Sequence, residues 1–233
     1  MNVHVYERLW HWLYATEGPV PYMYLDSLGL VTVGIGFMID PIADYINQWG
    51  RSFVKNDGTA AGPEEVKTEF NRVKLMQDKK GAHLNFKAGA QLTLPASAMK
   101  PTLLNILRQK EAALRTGWRN DFFSDFENFP PDAQMGVLST AYGSLGNKSL
   151  AEVAFNNACK NQDWAAAANS GRWDGWRPEK IIGHKLMFNN AQAAKDTRDD
   201  NPQPAFPGTL TASGYEIDDA IKPFRQNIWK AGG

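Results

Sequence analysis

The sequence lacks the features that mark cross-linked and membrane-spanning proteins. It has one cysteine, Cys159, so no disulfide can form within the chain. No stretch approaches the length and apolarity of a transmembrane span. The N-terminus has no basic region followed by a long apolar run, so we expect no signal peptide. Cys159 lies in an apolar helical pattern, which predicts a buried packing residue.

The sequence also lacks an excess of charge and any pattern typical of a cofactor site. It has 25 basic and 25 acidic residues, which gives no bulk electrostatic reason to bind nucleic acid or an anionic membrane. The four histidines show no metal-ligand spacing, so we expect no metal site. Gly34-Ile35-Gly36 is too short for a phosphate-binding loop and lacks the downstream glycine. We therefore expect no cofactor.

Helical patterns dominate the 233 residues, of which 43% are hydrophobic and 12% aromatic. Pro63 opens one predicted helix, Pro101–Arg115 is a second, and Pro131 opens a third that is predicted to be buried. From Asp199 the composition changes to a proline-containing segment. With one early hairpin, these patterns predict a mostly helical α+β fold whose core fills one domain or two lobes.

The hairpin follows a short aromatic helix that is predicted to end at Glu17, because Gly18 and Pro19 come next. Two strands are predicted, one from Tyr22 to Asp26 and one from Leu30 to Phe37. On the second strand, alternation places three residues on the face opposite the apolar one: Thr32, Gly34 and Gly36. This face offers one hydroxyl and bare backbone, which would let a bulky ligand approach closely.

Two carboxylates of different environment flank this hairpin. Glu17 is at a helix C-terminus among aromatic residues, which favours its neutral form, and a neutral carboxyl can act as a general acid. Asp26 is where a strand enters a turn and can stay ionised. One neutral and one ionised carboxyl group is the arrangement of glycoside hydrolysis. The alternative is an ordinary hairpin with a turn aspartate and a helix-end glutamate.

The spacing of these residues resembles the active-site segment of the phage-type lysozymes, the muramidases typified by the T-even phage enzyme. That family shows Glu-Gly, Tyr-x-Asp and Gly-x-x-Thr-x-Gly-x-Gly without gaps, and the three motifs begin here at Glu17, Tyr24 and Gly29. The resemblance implies that Glu17 is the general acid and that Asp26, with Thr32, positions or activates the attacking water. Tyr24 would line the cleft, and Gly34 and Gly36 would lie against the substrate.

Weaker matches extend the resemblance along the chain. Residues 62–66 and 132–142 look like segments of lysozyme-like wall hydrolases from phage particles and secreted antibacterial effectors. Residues 171–180 resemble an Arg-Trp…Pro-x-Arg segment whose last Arg pairs with the catalytic acid. Lys180 stands at that place. It would form a simple ion pair with Glu17, or else be a solvated helix lysine. Trp173 and Trp176 would stack on a sugar face, or else belong to the core.

Two features depart from the family. Phe37 stands where the family often has a histidine that pairs with an acid, so that structural salt bridge is in doubt. Many phage-type lysozymes are basic and are attracted to an anionic wall, whereas this chain has balanced charge. Delivery or a tethered partner, rather than charge, is therefore expected to bring the chain to its substrate.

The resemblance implies a lysozyme-like, two-lobed catalytic domain over residues 1–198. Its hairpin lobe would cover about 18–62 and its helical lobe about 63–198, with residues 199–233 as a C-terminal extension. The expected activity is bacteriolytic: hydrolysis of the β-1,4 bond between N-acetylmuramic acid and N-acetylglucosamine in peptidoglycan, with inversion. Two alternatives stay open, a non-catalytic wall-binding or structural module of a phage tail or secretion apparatus, and a lytic transglycosylase.

The expected partners are peptidoglycan glycan strands, together with an immunity protein or a carrier or secretion apparatus. The expected place of action is the bacterial periplasm or cell wall. Without a visible signal peptide, the chain would reach it through a holin, through a secretion system or as part of a larger protein.

Overall fold

The computed structural model of the chain describes residues 3–43, 52–116, 125–143, 153–171, 176, 178–197, 209–211 and 214–216. These residues are mostly helical with small antiparallel sheets, which confirms the predicted α+β class. None of the helices in these ranges has the length and apolarity needed to cross a membrane. The described α-helices are α1 (Val3–Glu17), α2 (Pro63–Lys74), α3 (Leu84–Lys87), α4 (Ala96–Thr116), α5 (Pro131–Gly143), α6 (Val153–Lys160), α7 (Trp164–Ser170) and α8 (Pro178–Thr197).

The described strands form three small antiparallel sheets. The first has the order β1-β2-β3, and the other two are the pairs β4-β5 and β6-β7. The strands are β1 (Val20–Leu25), β2 (Val31–Gly34), β3 (Phe37–Met38), β4 (Val54–Lys55), β5 (Leu92–Thr93), β6 (Thr209–Thr211) and β7 (Gly214–Glu216).

The chain forms two compact units. The hairpin unit consists of Glu17–Leu103, and the helical unit consists of Met1–Thr16 together with Leu104–Gly233. Helix α4 contributes residues to both units. The hairpin unit continues through α2 and α3, while the lobe limits drawn from the sequence near residue 62 stay a prediction.

In the hairpin unit, the predicted single strand from Leu30 to Phe37 is wrong. Strand β2 ends at Gly34, and the chain reverses so that Phe37 of β3 lies opposite Val33. Gly34 and Gly36 take φ values of +66° and +89°, which residues with a side chain rarely adopt. The two glycines therefore build a turn at this point, where strand alternation predicted a continuous face.

Helix α2 forms as predicted and anchors the hairpin. It starts at Pro63, and its apolar residues Val66, Phe70 and Val73 are buried. At its C-terminal end, Lys74 Nζ lies 2.9 Å from the carbonyl oxygen of Gly29 and 2.5 Å from Asp40 Oδ2. The hairpin unit therefore contains an ion pair between Lys74 and Asp40.

In the helical unit, α5 is the buried helix that the sequence predicted, with Val137, Leu138 and Ala141 fully buried. Its contact with α8 is close: a Cβ added at Gly136 would lie 2.7 Å from the Phe188 ring. Edge-to-face ring contacts surround this helix pair. They join Phe129 to Trp164 at 4.9 Å and Phe155 to Phe188 at 5.5 Å between ring centroids.

Two further elements differ from expectation. Helix α4 begins at Ala96, so Pro101 is inside the helix and does not open it. The buried side chain of Met99 explains the extension, because the added turn covers apolar surface. Strands β6 and β7 form a hairpin, with Leu210 opposite Tyr215, that the sequence did not predict in the C-terminal extension. The amphipathic piece expected around residues 217–228 lies outside the described residues.

Candidate functional site

Glu17 is the last residue of α1 and the first of the hairpin unit. The helix ends there because Gly18 takes a φ of +75°. Its side chain is half-buried, and no basic residue occupies the last turn of α1. The carboxyl group therefore lies at the negative end of the helix dipole, where a negative charge is disfavoured.

Asp26 follows β1, and its carboxylate organises the turn to β2. Oδ1 accepts hydrogen bonds from the backbone N–H groups of Leu28, at 2.8 Å, and Leu30, at 2.9 Å. The Asp26 N–H in turn donates to the carbonyl oxygen of Leu30 at 3.0 Å. Because both side-chain bonds go to Oδ1, the carboxylate is held in one orientation, and Oδ2 is the oxygen that can accept from a water molecule.

Thr32 is hydrogen-bonded to the backbone of Leu30, the residue that Asp26 also contacts. Its hydroxyl donates to the carbonyl oxygen of Leu30 at 3.3 Å, and the residue is 4% exposed. The antiparallel register places Thr32 directly opposite Tyr24. The structure thus brings Asp26 and Thr32 together through the backbone of Leu30, and the strand pairing places Tyr24 opposite Thr32.

The charges of both carboxylates affect the pKa of Tyr24. Its pKa is raised from 10.0 to about 12, first by burial and then by the negative charges of Glu17, Asp26 and the Tyr22 phenolate. Both carboxylates therefore act on one phenol, although they are nine positions apart in the sequence. The phenol stays protonated near neutral pH and can donate or accept a hydrogen bond.

The two glycines of the predicted site have a structural explanation. A Cβ added at Gly34 would lie 2.5 Å from ring atoms of Phe37 and 3.2 Å from Leu94. The absence of a side chain at Gly34 is thus required by the turn and by packing inside the hairpin unit. That Gly34 and Gly36 also lie against a substrate stays a prediction.

Lys180 and Trp176 lie in the helical unit and contact each other. Lys180 Nζ is 4.2 Å from the centroid of the Trp176 ring, and the lysine is only 8% exposed. A Cβ added at Gly143 would lie 2.9 Å from Lys180 Nζ, so the ammonium group is held against the last turn of α5. The alternative of a solvated lysine is therefore wrong, while the ion pair with Glu17 stays a prediction. Trp173 lies outside the described residues.

His184 packs beside this lysine and is neutral. Its ring centroid is 4.7 Å from that of Trp176, and its Nδ1 is 2.7 Å from the Lys180 carbonyl oxygen. Complete burial, together with the nearby Lys180 charge, lowers the pKa of His184 to about 3. The positive charge of this cluster is therefore carried by Lys180 and not by the imidazole.

One residue beside the hairpin was missed by sequence reasoning. His83 is exposed, its ring is 6.0 Å from that of Tyr24 between centroids, and its Nδ1 is 3.3 Å from the Tyr22 hydroxyl oxygen. It is 59 positions after Tyr24, and no local spacing links the two. Only the fold of the hairpin unit brings them together.

An open groove of about 580 Å³ lies elsewhere in the hairpin unit and contains none of the predicted site residues. Its two basic side chains are already paired: Lys55 with Glu65 at 3.2 Å, and Arg72 with the buried Glu69 at 2.8 Å. Among the residues that the structure describes, no group of three histidine, cysteine or acidic side chains could hold a metal ion.

Comparison with known proteins adds no further constraint, because no family model, no curated protein and no solved structure matches this chain.

Proposed function

We propose that the chain is a peptidoglycan muramidase with a lysozyme-like catalytic domain. It hydrolyses the β-1,4 bond between N-acetylmuramic acid and N-acetylglucosamine. The observation that supports this best is that the Asp26 carboxylate and the Thr32 hydroxyl are both bonded to the backbone of Leu30, in the unit that also holds the helix-end acid Glu17. A helix-end acid and a turn-fixed carboxylate match the pair of carboxyl groups that glycoside hydrolysis requires.

Each residue has a distinct role in the proposed reaction. Glu17, at the unfavourable end of the helix dipole, gives its proton to the leaving glycosidic oxygen. Asp26 Oδ2 accepts a proton from water, and Thr32 helps to orient that water towards the anomeric carbon. The bond between the anomeric carbon and the leaving oxygen breaks as the water oxygen attacks. A water between the carboxylate and the sugar leads to inversion.

The remaining site residues serve binding. Tyr24 lines the site beside the carboxylates, and Gly34 and Gly36 lie against the glycan. In the helical unit, Trp176 offers a ring face to a sugar. The glycan strands of peptidoglycan are the main partner, with an immunity protein or a carrier or secretion apparatus as a second one.

Hydrolysis is favoured over the lytic transglycosylase reaction by the Asp26–Thr32 arrangement. A transglycosylase uses a hydroxyl group of the substrate itself and forms an anhydro sugar, so it needs no protein groups to position water. Here a carboxylate and a hydroxyl are both bonded to the backbone of Leu30, at its N–H and at its carbonyl oxygen.

The products of purified peptidoglycan test the proposal. Mass analysis should show reducing N-acetylmuramic acid ends, and proton NMR of the fresh product should show the inverted anomer. Anhydro ends would identify a transglycosylase instead. Tight binding to peptidoglycan without any cleavage by the folded chain would favour a wall-binding module and would overturn the proposed hydrolysis.

A further inference from the structure

His83 is an exposed imidazole held against the tyrosines of β1. Its Nδ1 is 3.3 Å from the hydroxyl oxygen of Tyr22, a residue that is only 6% exposed. Its ring makes an edge contact with Tyr24 at an interplanar angle of 65°. The residue immediately precedes α3, so the short helix and the strand together set the position of the ring.

The Tyr22 hydroxyl and His83 Nδ1 are close enough to share a hydrogen bond. Burial raises the pKa of the Tyr22 phenol, so the phenol keeps its proton and can donate it to Nδ1. When the phenol donates to Nδ1, the hydrogen of the neutral ring is on Nε2. The exposed His83 ring then has an N–H donor at its other nitrogen, Nε2.

We propose that His83 binds the acetamido group of an N-acetylated sugar, with Nε2–H donating to the acetamido carbonyl oxygen. This inference rests on the proposed function, since it assigns a contact of the same glycan. A carbonyl oxygen can only accept, so it complements a nitrogen that can only donate. The position is suitable because the His83 ring lies against Tyr24, which is directly opposite Thr32 in the sheet.

Binding is measured by calorimetry with a soluble tetrasaccharide of alternating N-acetylglucosamine and N-acetylmuramic acid. The protein is the full chain carrying Glu17→Gln, which should not cleave the probe. We expect His83→Ala to weaken binding about tenfold, which corresponds to about 1.4 kcal/mol. His83→Gln keeps an N–H donor and should recover most of the affinity. The matched control is Asn85→Ala, an exposed substitution in the adjacent helix that should leave affinity unchanged.

A second probe isolates the acetamido group. The same tetrasaccharide without its acetyl groups should bind with equal affinity to chains with and without His83→Ala. An equal loss of affinity for both probes would overturn the acetamido contact. Unchanged affinity of His83→Ala for the acetylated probe would overturn the role of His83 altogether. If the Glu17→Gln chain binds neither probe, both this inference and the proposed function fail.

The tautomer is tested separately by nitrogen NMR of the histidine rings. The His83 signals should show a protonated Nε2 and an unprotonated Nδ1, and the Nε2 signal should shift when the acetylated probe binds. Tyr22→Phe removes the donor to Nδ1 and should change the tautomer ratio. A protonated Nδ1 in the unchanged chain would contradict the inference.

Discussion

Leu30 is the residue that connects the two groups proposed to handle water. Its N–H donates to Asp26 Oδ1, and its carbonyl oxygen accepts from the Thr32 hydroxyl. The carboxylate and the hydroxyl are thus each fixed by main-chain groups, and neither needs the other to keep its place. A mutation can therefore remove the charge of Asp26 and still keep the hydrogen bonds that hold the turn.

Asp26→Asn is predicted to abolish catalysis while keeping the turn. The amide oxygen can still accept from the N–H groups of Leu28 and Leu30, but the variant cannot take a proton from water. We expect a loss in hydrolysis rate of about 100-fold or more, as is usual for an acid–base group. The unfolding temperature should stay within about 2 °C, because the hydrogen bonds are kept. A folded Asn variant with more than a tenth of the original rate would contradict the role of Asp26.

The titration of Tyr24 is predicted to respond to both carboxylates. Its pKa of about 12 in the folded chain should fall towards 10 in Glu17→Gln and in Asp26→Asn, because each removes a charge that disfavours the phenolate. Glu64→Gln, an exposed control in the same unit, should leave it unchanged. Carbon NMR of labelled tyrosines, assigned with Tyr24→Phe, measures each value. An unshifted pKa in both test variants would show that the carboxylates are not near Tyr24.

The sign of the effect on stability follows from the same shift. The folded chain binds the phenolic proton more tightly than the unfolded chain does. This group therefore contributes stability that is complete below about pH 10 and is lost as the pH rises towards 12. The free energy of unfolding of the unchanged chain should fall more steeply over this interval than that of Tyr24→Phe.

At the scale of elements, helices α1 and α8 pack closely because α8 has a glycine at the contact. A Cβ added at Gly183 of α8 would lie 2.2 Å from the ring of Trp12 of α1. In an isolated helix, replacing glycine by alanine stabilises by about 1 kcal/mol. Here the clash with a fully buried ring outweighs that gain.

Gly183→Ala is therefore predicted to destabilise the chain, by about 1–3 kcal/mol. For a chain of this size that lowers the unfolding temperature by about 2–10 °C, measured by calorimetry. Gly62→Ala is the comparison without a clash, because its nearest atom would be 3.5 Å away and its φ is −82°. As Gly62 is the N-cap of α2, only the smaller cost of a poorer cap is expected, about 0.5–1 kcal/mol. A Gly183→Ala chain as stable as the Gly62→Ala chain would mean that Trp12 does not pack on α8.

The sequence predicted those helices that neighbouring residues determine, and it failed where tertiary packing sets the limits of an element. Helix α2 was predicted from Pro63 and α5 from Pro131, and both helices begin at these residues. Pro101 was predicted to open a helix because proline is common in the first turn. Helix α4 begins earlier, at Ala96, because the additional turn buries Met99. The turn at Gly34 and Gly36 was not predicted, since a turn and a strand of this composition look alike in sequence.

In the candidate site, the sequence predicted the residues that lie close together in the chain and missed the contacts between distant segments. Glu17, Asp26 and Thr32 are close in sequence, and their spacing indicated them. The burial of Lys180 and the contact of His83 with Tyr24 depend on segments far apart in the chain, and no spacing within either segment signals them.

At the scale of the whole molecule, balanced charge sets an expectation for how the chain meets its substrate. With 25 basic and 25 acidic residues there is no net charge to attract an anionic wall. The hydrolysis rate of purified peptidoglycan should therefore change less than about twofold between roughly 50 and 200 mM salt. A steep fall of the rate with added salt, seen as slower loss of turbidity, would show that electrostatic attraction matters after all.

The most direct test of the proposed function is the release of reducing ends from purified peptidoglycan by three chains: the unchanged chain, Glu17→Gln and Glu64→Gln. Both substitutions remove one carboxylate from the hairpin unit, but only the first removes the proposed general acid. We predict full activity for the unchanged chain and for Glu64→Gln, and a loss of about 100-fold or more for Glu17→Gln. Reducing ends released equally by all three folded chains would contradict the assignment of the active site to Glu17.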